Sequence, residues 1–266
     1  MGNIIKLDEF REKKEEINFL KNKLAELIGI YDELRFVICK NIESSYMVEI
    51  GYFEFKAYDY FYKYLRLKRK KSLIQAKINR KEEIFLDEID HKLDLDFESF
   101  KENLEEEYQK LQDAYEYTSG DFLTVDESLE IKKLYRKLVK KLHPDLNPRQ
   151  NLEDLDLFNN LTQAYKKGDL PSIRIIDMIV EKSSDTYKEN YTKEDFDFEI
   201  EKFKNSINHI KDEIKKIKTS PPYTLKVFLD DEKKKNEKIE EIKKKIKAYK
   251  DRIDSLKDDI SHLLGA

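Results

Sequence analysis

"KKLYRKLVKKLHPDLNP", residues 132–148, is the stretch that decides the fold. Apolar side chains recur on one face of this run and Lys or Arg fills the remainder, which is the pattern of an amphipathic helix. Proline disfavours helical geometry in the residue before it, so the helix is predicted to end at Leu142 or His143. His143 and Asp145 are then expected to lie on an exposed turn around Pro144.

The segments on both sides of this run are also predicted to be helical. Thr124, with Glu127 three residues later, has the spacing of a capping box and marks a helix start. Residues 155–167 form another short helical pattern, which Gly168 ends. Its apolar side consists of Phe158, Leu161, Ala164 and Tyr165. These residues predict two antiparallel helices packed across a polar loop, with a basic outer face.

The composition favours helices throughout the chain. Of the 266 residues, 41% are Asp, Glu, Lys or Arg, and only six are Gly. Few tight turns and abundant Lys, Glu, Leu and Ile are typical of helices with narrow apolar seams. We therefore expect an all-α fold, in which long helical hairpins or coiled-coil arms flank a small helical module.

The first part of the chain, residues 1–118, is predicted to be a region of long helical hairpins. A heptad seam is formed by Phe10, Ile17, Leu24, Tyr31 and Ile38, with Leu20, Leu27 and Leu34 between them. This seam predicts a helix from near Asp8 to about Ile50, with a break at Gly51 and a coiled-coil-like partner. A later helical pattern begins at Phe97 and ends near Ser119.

The last part of the chain returns to heptads. After a small helical module at 119–182 and a polar linker at 183–193, apolar seams recur over residues 194–266. Two prolines, Pro221 and Pro222, interrupt them and cannot continue a helix interior. We expect an antiparallel coiled-coil hairpin joined at these prolines. The partner of its longer arm is either the N-terminal hairpin or another subunit.

Charge and cysteine content exclude several classes of protein. The net charge is −4, which gives no general attraction to nucleic acid or anionic membrane. The single cysteine, Cys39, excludes an internal disulfide and a Cys-rich zinc site. The N-terminal residues lack the apolar core of a signal peptide and no run is apolar enough to span a bilayer. We expect a cytoplasmic protein.

One local feature leaves two interpretations open. The aromatic cluster from Tyr52 to Tyr64 lies beside the basic run RLKRKK, residues 66–71. Such a cluster can stack the bases of single-stranded nucleic acid. Alternatively, it packs the closed end of a helical hairpin while the basic run forms a solvated face. We favour packing, because the acidic chain supplies no supporting field.

The run IKKLYRKLVKKLHPD, followed by FNNLTQAY, resembles a J-domain over about residues 128–167. The tripeptide His143-Pro144-Asp145 alone is a weak signal, and its register with the helices on both sides makes it specific. The resemblance implies that the chain docks on a DnaK-type, ATP-dependent chaperone and stimulates its ATP hydrolysis. Without a Gly/Phe-rich linker or Cys-x-x-Cys repeats, it resembles the J-proteins that keep only the J module.

The resemblance assigns roles to particular residues. The residues implied to bind the chaperone are Lys132, Arg136, Lys137, Lys140, His143, Pro144, Asp145 and Asn147. The residues implied to form the core of the module are Tyr135, Leu138, Leu142, Phe158, Leu161, Ala164 and Tyr165. No catalytic residue, metal ligand or cofactor is expected. The flanking helices are expected to provide a client site, a location signal or a homodimer contact.

The chain also departs from the family pattern. The usual first helix, with its Tyr-x-x-Leu-Gly signature, is missing, and the helix that ends near Tyr117 is expected to replace it in the packing. Leu146 stands where a basic residue often follows the Asp, and Asn159 where Lys often follows the Phe. Both changes weaken the electrostatic argument for docking.

Three alternatives to a co-chaperone follow from the same residues. The first is a structural coiled-coil adaptor whose J module does not activate a chaperone. The second is catalysis by a His143–Asp145 pair, for which no nucleophile motif or metal-ligand spacing is present in the sequence. The third is nucleic-acid binding through the run RLKRKK or the basic helix, which ranks after the adaptor because a basic J helix already has a protein partner to explain it. Stimulation of a chaperone's ATPase would separate the co-chaperone from the adaptor.

Overall fold

The fold is built from helices. A computed structural model describes residues 7–120, 123–148, 150–182 and 193–265, and within these ranges there is no strand. The structure is 90% helical, which confirms the all-α prediction. The helices are α1 (Leu7–Glu33), α2 (Cys39–Tyr46), α3 (Tyr52–Asn79), α4 (Leu86–Asp96), α5 (Glu98–Ser119), α6 (Val125–Leu142), α7 (Leu152–Lys167), α8 (Leu170–Lys182), α9 (Lys193–Thr219), α10 (Lys226–Asp230) and α11 (Glu232–Leu264).

The chain stays helical between α1 and α3 through two π-helical segments, Leu34–Ile38 and Met47–Gly51. The break predicted at Gly51 is therefore wrong, since this residue has helical torsion angles of φ −55° and ψ −33°. Glycine costs a helix only about 1 kcal/mol and does not by itself end one. A Cβ at Gly51 would lie 2.8 Å from the Met47 sulfur, near the end of a flexible side chain that would have to shift.

The chain folds into two compact units, and each unit combines two separate stretches. Among the described residues, those up to 41 and those between 123 and 224 form the first unit, and those between 42 and 120 and from 225 onward form the second. The sequence had instead suggested contiguous ranges. Heptad patterns identify which face of a helix is buried, but they carry no information about which distant helix covers that face.

The first unit is organised around α1. This helix packs along α9 and against α6, and α6 in turn contacts α7 and α8. Leu24 of α1, Leu138 of α6 and Phe203 of α9 are almost completely buried in one shared core. The apolar side chains of residues 132–148, the stretch that decides the fold, thus contribute to the core of this unit.

The second unit is organised around α3, which packs against α11, α4 and α5. Lys235 of α11 lies 2.8 Å from Glu49, and Asp259 of α11 lies 2.7 Å from Lys71. Because these contacts advance together along both segments, α3 and α11 run in the same direction. Apolar side chains that include Ile74 form the core at one end of this pair.

The aromatic cluster of residues 52–64 packs between helices of the second unit. Tyr58 stacks on Phe100 of α5 at 6.2 Å, and Phe61 lies 5.5 Å from Tyr249 of α11, between ring centroids. This supports packing over a stacking platform. The adjoining basic run is not a free solvated face, because four of its five cations pair with carboxylates of α4 and α11. The pairs are Arg66–Asp94, Arg69–Asp96, Lys70–Asp90 and Lys71–Asp259.

The antiparallel hairpin predicted for residues 194–266 is wrong. Its first helix, α9, packs on α1 in the first unit, and its second helix, α11, packs on α3 in the second unit. The N-terminal heptad seam predicted a partner helix without identifying it, and that partner is α9. Most of the predicted linker, residues 183–192, lies outside the described residues. Within the described ranges, no helix combines the length and the apolar character needed to cross a membrane.

Candidate functional site

The site begins with a well-defined helix start at α6. Thr124 accepts a hydrogen bond from the backbone N–H of Glu127 at 3.2 Å, and the Glu127 carboxylate accepts one from the backbone N–H of Thr124 at 2.9 Å. This confirms the predicted capping box. The hydrogen bonds that the backbone N–H and the hydroxyl of Thr124 donate to the Glu127 carboxylate lower the pKa of that carboxyl, which favours the charged form at the positive end of the helix. The start of α6 is thereby fixed.

The inner face of α6 packs against α7. The rings of Tyr135 and Tyr165 stack with centroids 3.9 Å apart. The predicted core residues Tyr135, Leu138, Leu142, Leu161, Ala164 and Tyr165 are all buried, whereas Phe158 is half-buried. Val139, which the sequence analysis did not select, is also completely buried. Its spacing of four residues from Tyr135 was the available signal, since such pairs share a face.

A buried carboxylate from α1 completes this core. The Tyr135 hydroxyl donates a hydrogen bond of 2.7 Å to Asp32, whose side chain is only 8% exposed. Burial raises the pKa of the Asp32 carboxyl, although the Tyr135 hydrogen bond and the Arg35 and Lys166 charges oppose the shift. This contact could not be predicted from the sequence, because the two residues are 103 positions apart.

The turn after α6 has the predicted geometry. The helix ends at Leu142, and His143 is extended, with φ −70° and ψ 131°. The His143 Nδ1 atom accepts a hydrogen bond from the backbone N–H of Asp145 at 3.0 Å. Asp145 is exposed as expected, and Pro144 is half-buried. The turn therefore presents the Asp145 carboxylate to solvent.

His143 is not on an exposed position, which corrects the expectation for this residue. Its imidazole ring packs edge-on against Phe158 of α7, with centroids 4.9 Å apart, and is half-buried. Burial lowers the pKa of His143, and the nearby Asp145 charge only partly opposes this effect. The ring is therefore predominantly neutral at pH 7, since even an unperturbed His titrates near 6.5.

The two residues after the tripeptide anchor the turn. Leu146, at a position often basic in the family, is completely buried in the core of the first unit. The Asn147 amide donates hydrogen bonds to the carbonyls of Lys140 and Lys141, at 3.1 and 2.9 Å. Asn147 thus caps the end of α6, where the last carbonyls of a helix lack partners. Both residues hold the turn against the helix.

The basic outer face of α6 is partly paired within the chain. Glu33 of α1 lies 2.8 Å from Lys132 and 3.1 Å from Arg136. Lys137 lies 2.8 Å from Asp177 and 2.7 Å from Glu181, which are both on α8. Lys140 is exposed and has no ion pair with any described residue. Of the four cations assigned to docking, three therefore already have acidic partners.

Comparison with known families identifies the segment formed by α6, the turn and α7. The family model of the DnaJ domain matches residues 123–167, the segment that contains α6, the turn and α7. Searches of curated proteins and of solved structures gave no significant match. The chain therefore contains a J domain, and helical regions flank it. A J domain is typical of co-chaperones that work with a DnaK-type partner.

The helix that packs on the J domain differs from the one expected. The helix ending near Tyr117 was expected to replace the missing first helix, but α5 belongs to the second unit. Instead, α1 packs against α6 and supplies the Asp32 and Glu33 contacts. The expected substitution is therefore wrong. The helix that takes this place, α1, lies about a hundred residues earlier in the chain. Nearness in sequence therefore could not identify it.

Proposed function

We propose that this J-domain protein is a co-chaperone that docks on a DnaK-type chaperone and stimulates its ATP hydrolysis. The supporting observation is the placement of His143-Pro144-Asp145 at the end of a basic helix whose other face is buried. The turn is held in shape by the buried Leu146 and by the Asn147 cap. A surface that is already in its binding geometry loses less conformational entropy on association.

The charges of the site define what kind of surface it fits. Lys140 is exposed near the end of α6, and the Asp145 carboxylate is exposed three residues beyond Leu142. Because His143 is predominantly neutral, its ring adds little positive charge to the turn. The matching surface carries carboxylates opposite the helix and a basic group opposite Asp145. Complementary charges of this kind increase the rate and the specificity of association.

In this proposal the flanking helices bind a client or a second copy of the chain. Large aromatic side chains on α1 and α9 support this role, because Phe19 is 63% exposed and Phe198 is 73% exposed. Exposed aromatic residues are enriched at protein–protein interfaces. The protein would act in the cytoplasm and perform no chemistry of its own.

The docking step can be tested with a matched pair of variants. Asp145→Asn removes the exposed carboxylate of the turn, and Asp156→Asn removes a carboxylate on α7 that is also exposed. We expect Asp145→Asn to weaken binding to the ATP-bound chaperone about tenfold or more, as the loss of a charged hydrogen bond predicts. Asp156→Asn is expected to bind like wild type. Equal affinities for both variants, measured by surface plasmon resonance, would remove the turn from the interface.

A structural adaptor is the second candidate. The observation that favours it is the internal pairing of Lys132, Arg136 and Lys137, which leaves less positive charge for a partner. An adaptor would neither bind the chaperone in an ATP-dependent manner nor change its hydrolysis rate. Wild-type protein that gives the rate of buffer alone would establish this alternative.

A further inference from the structure

The cations on the outer face of α6 lie in three lines along the helix. At 3.6 residues per turn, Lys133 and Lys140 are almost aligned, since seven residues make nearly two turns. Arg136 lies on one side of this middle line, and Lys137 lies on the other. Each line has a different set of neighbours in the first unit.

The line on the α1 side is occupied by internal contacts. Glu33 pairs with both Lys132 and Arg136, and its own side chain is only 16% exposed. The stem of Arg136 also lies against the backbone of α1, because a Cβ at Gly29 would come within 2.8 Å of the Arg136 Cγ. Arg136 is therefore packed as well as paired. Its contacts hold α6 against α1.

The line on the α8 side is occupied in the same way. The Lys137 ammonium group contacts Asp177 and Glu181, which lie one turn apart on α8. The two carboxylates raise the pKa of Lys137, as expected for an ammonium group with two acidic partners. A cation held by two carboxylates contributes little net positive potential to its surroundings.

The middle line remains available. Lys133 and Lys140 are exposed, and neither has an ion pair within the parts of the chain that the structure describes. Their Cα atoms are about 10 Å apart at 1.5 Å per residue. Lys140 lies in the last turn of α6, close to the His143-Pro144-Asp145 turn. The unpaired positive charge along the middle line thus lies on these two lysines. Lys141, on the α8 side, is also exposed and has no ion pair with a described residue, but its charge, after the hydrogen bond and charge of Lys137, also lowers the pKa of the nearby Glu181 carboxyl.

We infer that Lys133 and Lys140 provide the electrostatic attraction to an acidic surface of the chaperone, while Lys132, Arg136 and Lys137 fasten the J domain to α1 and α8. This inference rests on the proposed function. It adds Lys133 to the interface and changes the role of the three paired cations. The partner surface it requires carries carboxylates spaced to meet two lysines about two helical turns apart.

Three double variants with the same change of charge test the assignment. Lys133→Gln/Lys140→Gln removes the middle line, and Lys132→Gln/Lys137→Gln removes one cation from each outer line. Lys211→Gln/Lys218→Gln is the matched control, because these two lysines are also exposed and seven residues apart, on α9. Association rates of the full chain with the ATP-bound chaperone are measured over a series of salt concentrations, together with the melting temperature of each variant.

We expect the middle-line variant to associate at least about threefold more slowly at low salt and to show a flatter salt dependence, since steering charges act on the association rate. It is expected to melt like wild type. The outer-line variant is expected to melt at a lower temperature and to keep most of the salt dependence. The control is expected to match wild type in both measurements.

The opposite result overturns the inference: a flat salt dependence in the outer-line variant together with wild-type behaviour of the middle-line variant. Equal salt dependence in all three variants overturns it as well. Both results require wild-type protein that binds and an Asp145→Asn variant that does not, so the proposed function stands while the inference fails. Wild-type protein that does not bind at any salt concentration instead contradicts the proposed function, and the inference with it.

Discussion

Leu146 gives a structural reason for one departure from the family pattern. A basic residue often follows the Asp of the tripeptide, whereas this chain has an apolar side chain that is completely buried. Together with the Asn147 cap, it fixes the turn from the inside. Sequence reasoning identified Leu146 as a weakened contact with a partner. It could not identify the gain in packing, because burial depends on helices that are distant in the chain.

Leu146→Ala is expected to destabilise the protein by about 2–4 kcal/mol, because it leaves a cavity in the core of the first unit. Leu152→Ala is the matched control, since Leu152 is 80% exposed and its truncation leaves no cavity. The control is expected to change the free energy of unfolding by less than about 0.5 kcal/mol. Urea denaturation followed by circular dichroism measures both. Equal effects would show that Leu146 is not buried.

Asp32 gives the protein a pH dependence of known sign. Because burial raises the pKa of this carboxyl, the folded state holds the proton more tightly than the unfolded state. Its contribution to stability is full below the ordinary pKa of Asp and is lost as the pH rises through the raised value. In Asp32→Asn the amide oxygen can still accept the hydrogen bond from Tyr135, and nothing titrates.

We therefore expect Asp32→Asn to gain stability relative to wild type between about pH 4 and neutral pH. The free energy of unfolding is measured for both proteins at several pH values, with Asp156→Asn as an exposed carboxyl control. The difference between Asp32→Asn and wild type rises with pH if the carboxyl is buried as the structure has it. A difference that stays constant or falls with rising pH is incompatible with that burial.

At the scale of helices, the sequence predicted which face of each helix is buried, but it did not predict which helices pack together. The ends of α6 followed from local chemistry, since the Thr124 capping box and Pro144 act on their nearest neighbours. The apolar faces of α1, α9 and α11 followed from heptad spacing. Which of these helices pair did not follow, because three similar seams can combine in several ways. Gly51 misled for a different reason: a single glycine costs a helix only about 1 kcal/mol, so the helix continues through it.

Ile253→Asp tests the face assigned to α11. Ile253 is buried, so an unpaired carboxylate at this position is expected to cost about 3 kcal/mol or more. Ala248→Asp introduces the same carboxylate at an exposed position of the same helix. Thermal melting by circular dichroism is expected to separate the two variants clearly. If both melt like wild type, the α11 face is not buried.

At the scale of the whole molecule, the J domain is part of a larger helical unit and does not form a separate compact unit of its own. Its outer cations pair with Glu33 of α1 and with carboxylates of α8, and its core includes Leu24 of α1 and Phe203 of α9. The J domain could be recognised from the sequence because its characteristic residues lie within one short stretch. Its integration into the first unit depends on contacts between distant segments, which no single stretch reveals.

The most direct test of the account is single-turnover ATP hydrolysis by a DnaK-type chaperone, with saturating amounts of the 266-residue chain. His143→Gln changes the half-buried ring of the turn, and His209→Gln makes the same substitution at an exposed position on α9. The account predicts that wild type and His209→Gln accelerate hydrolysis, whereas His143→Gln does not, although it stays folded by circular dichroism. Equal rates with wild type, both variants and buffer alone would contradict a co-chaperone role.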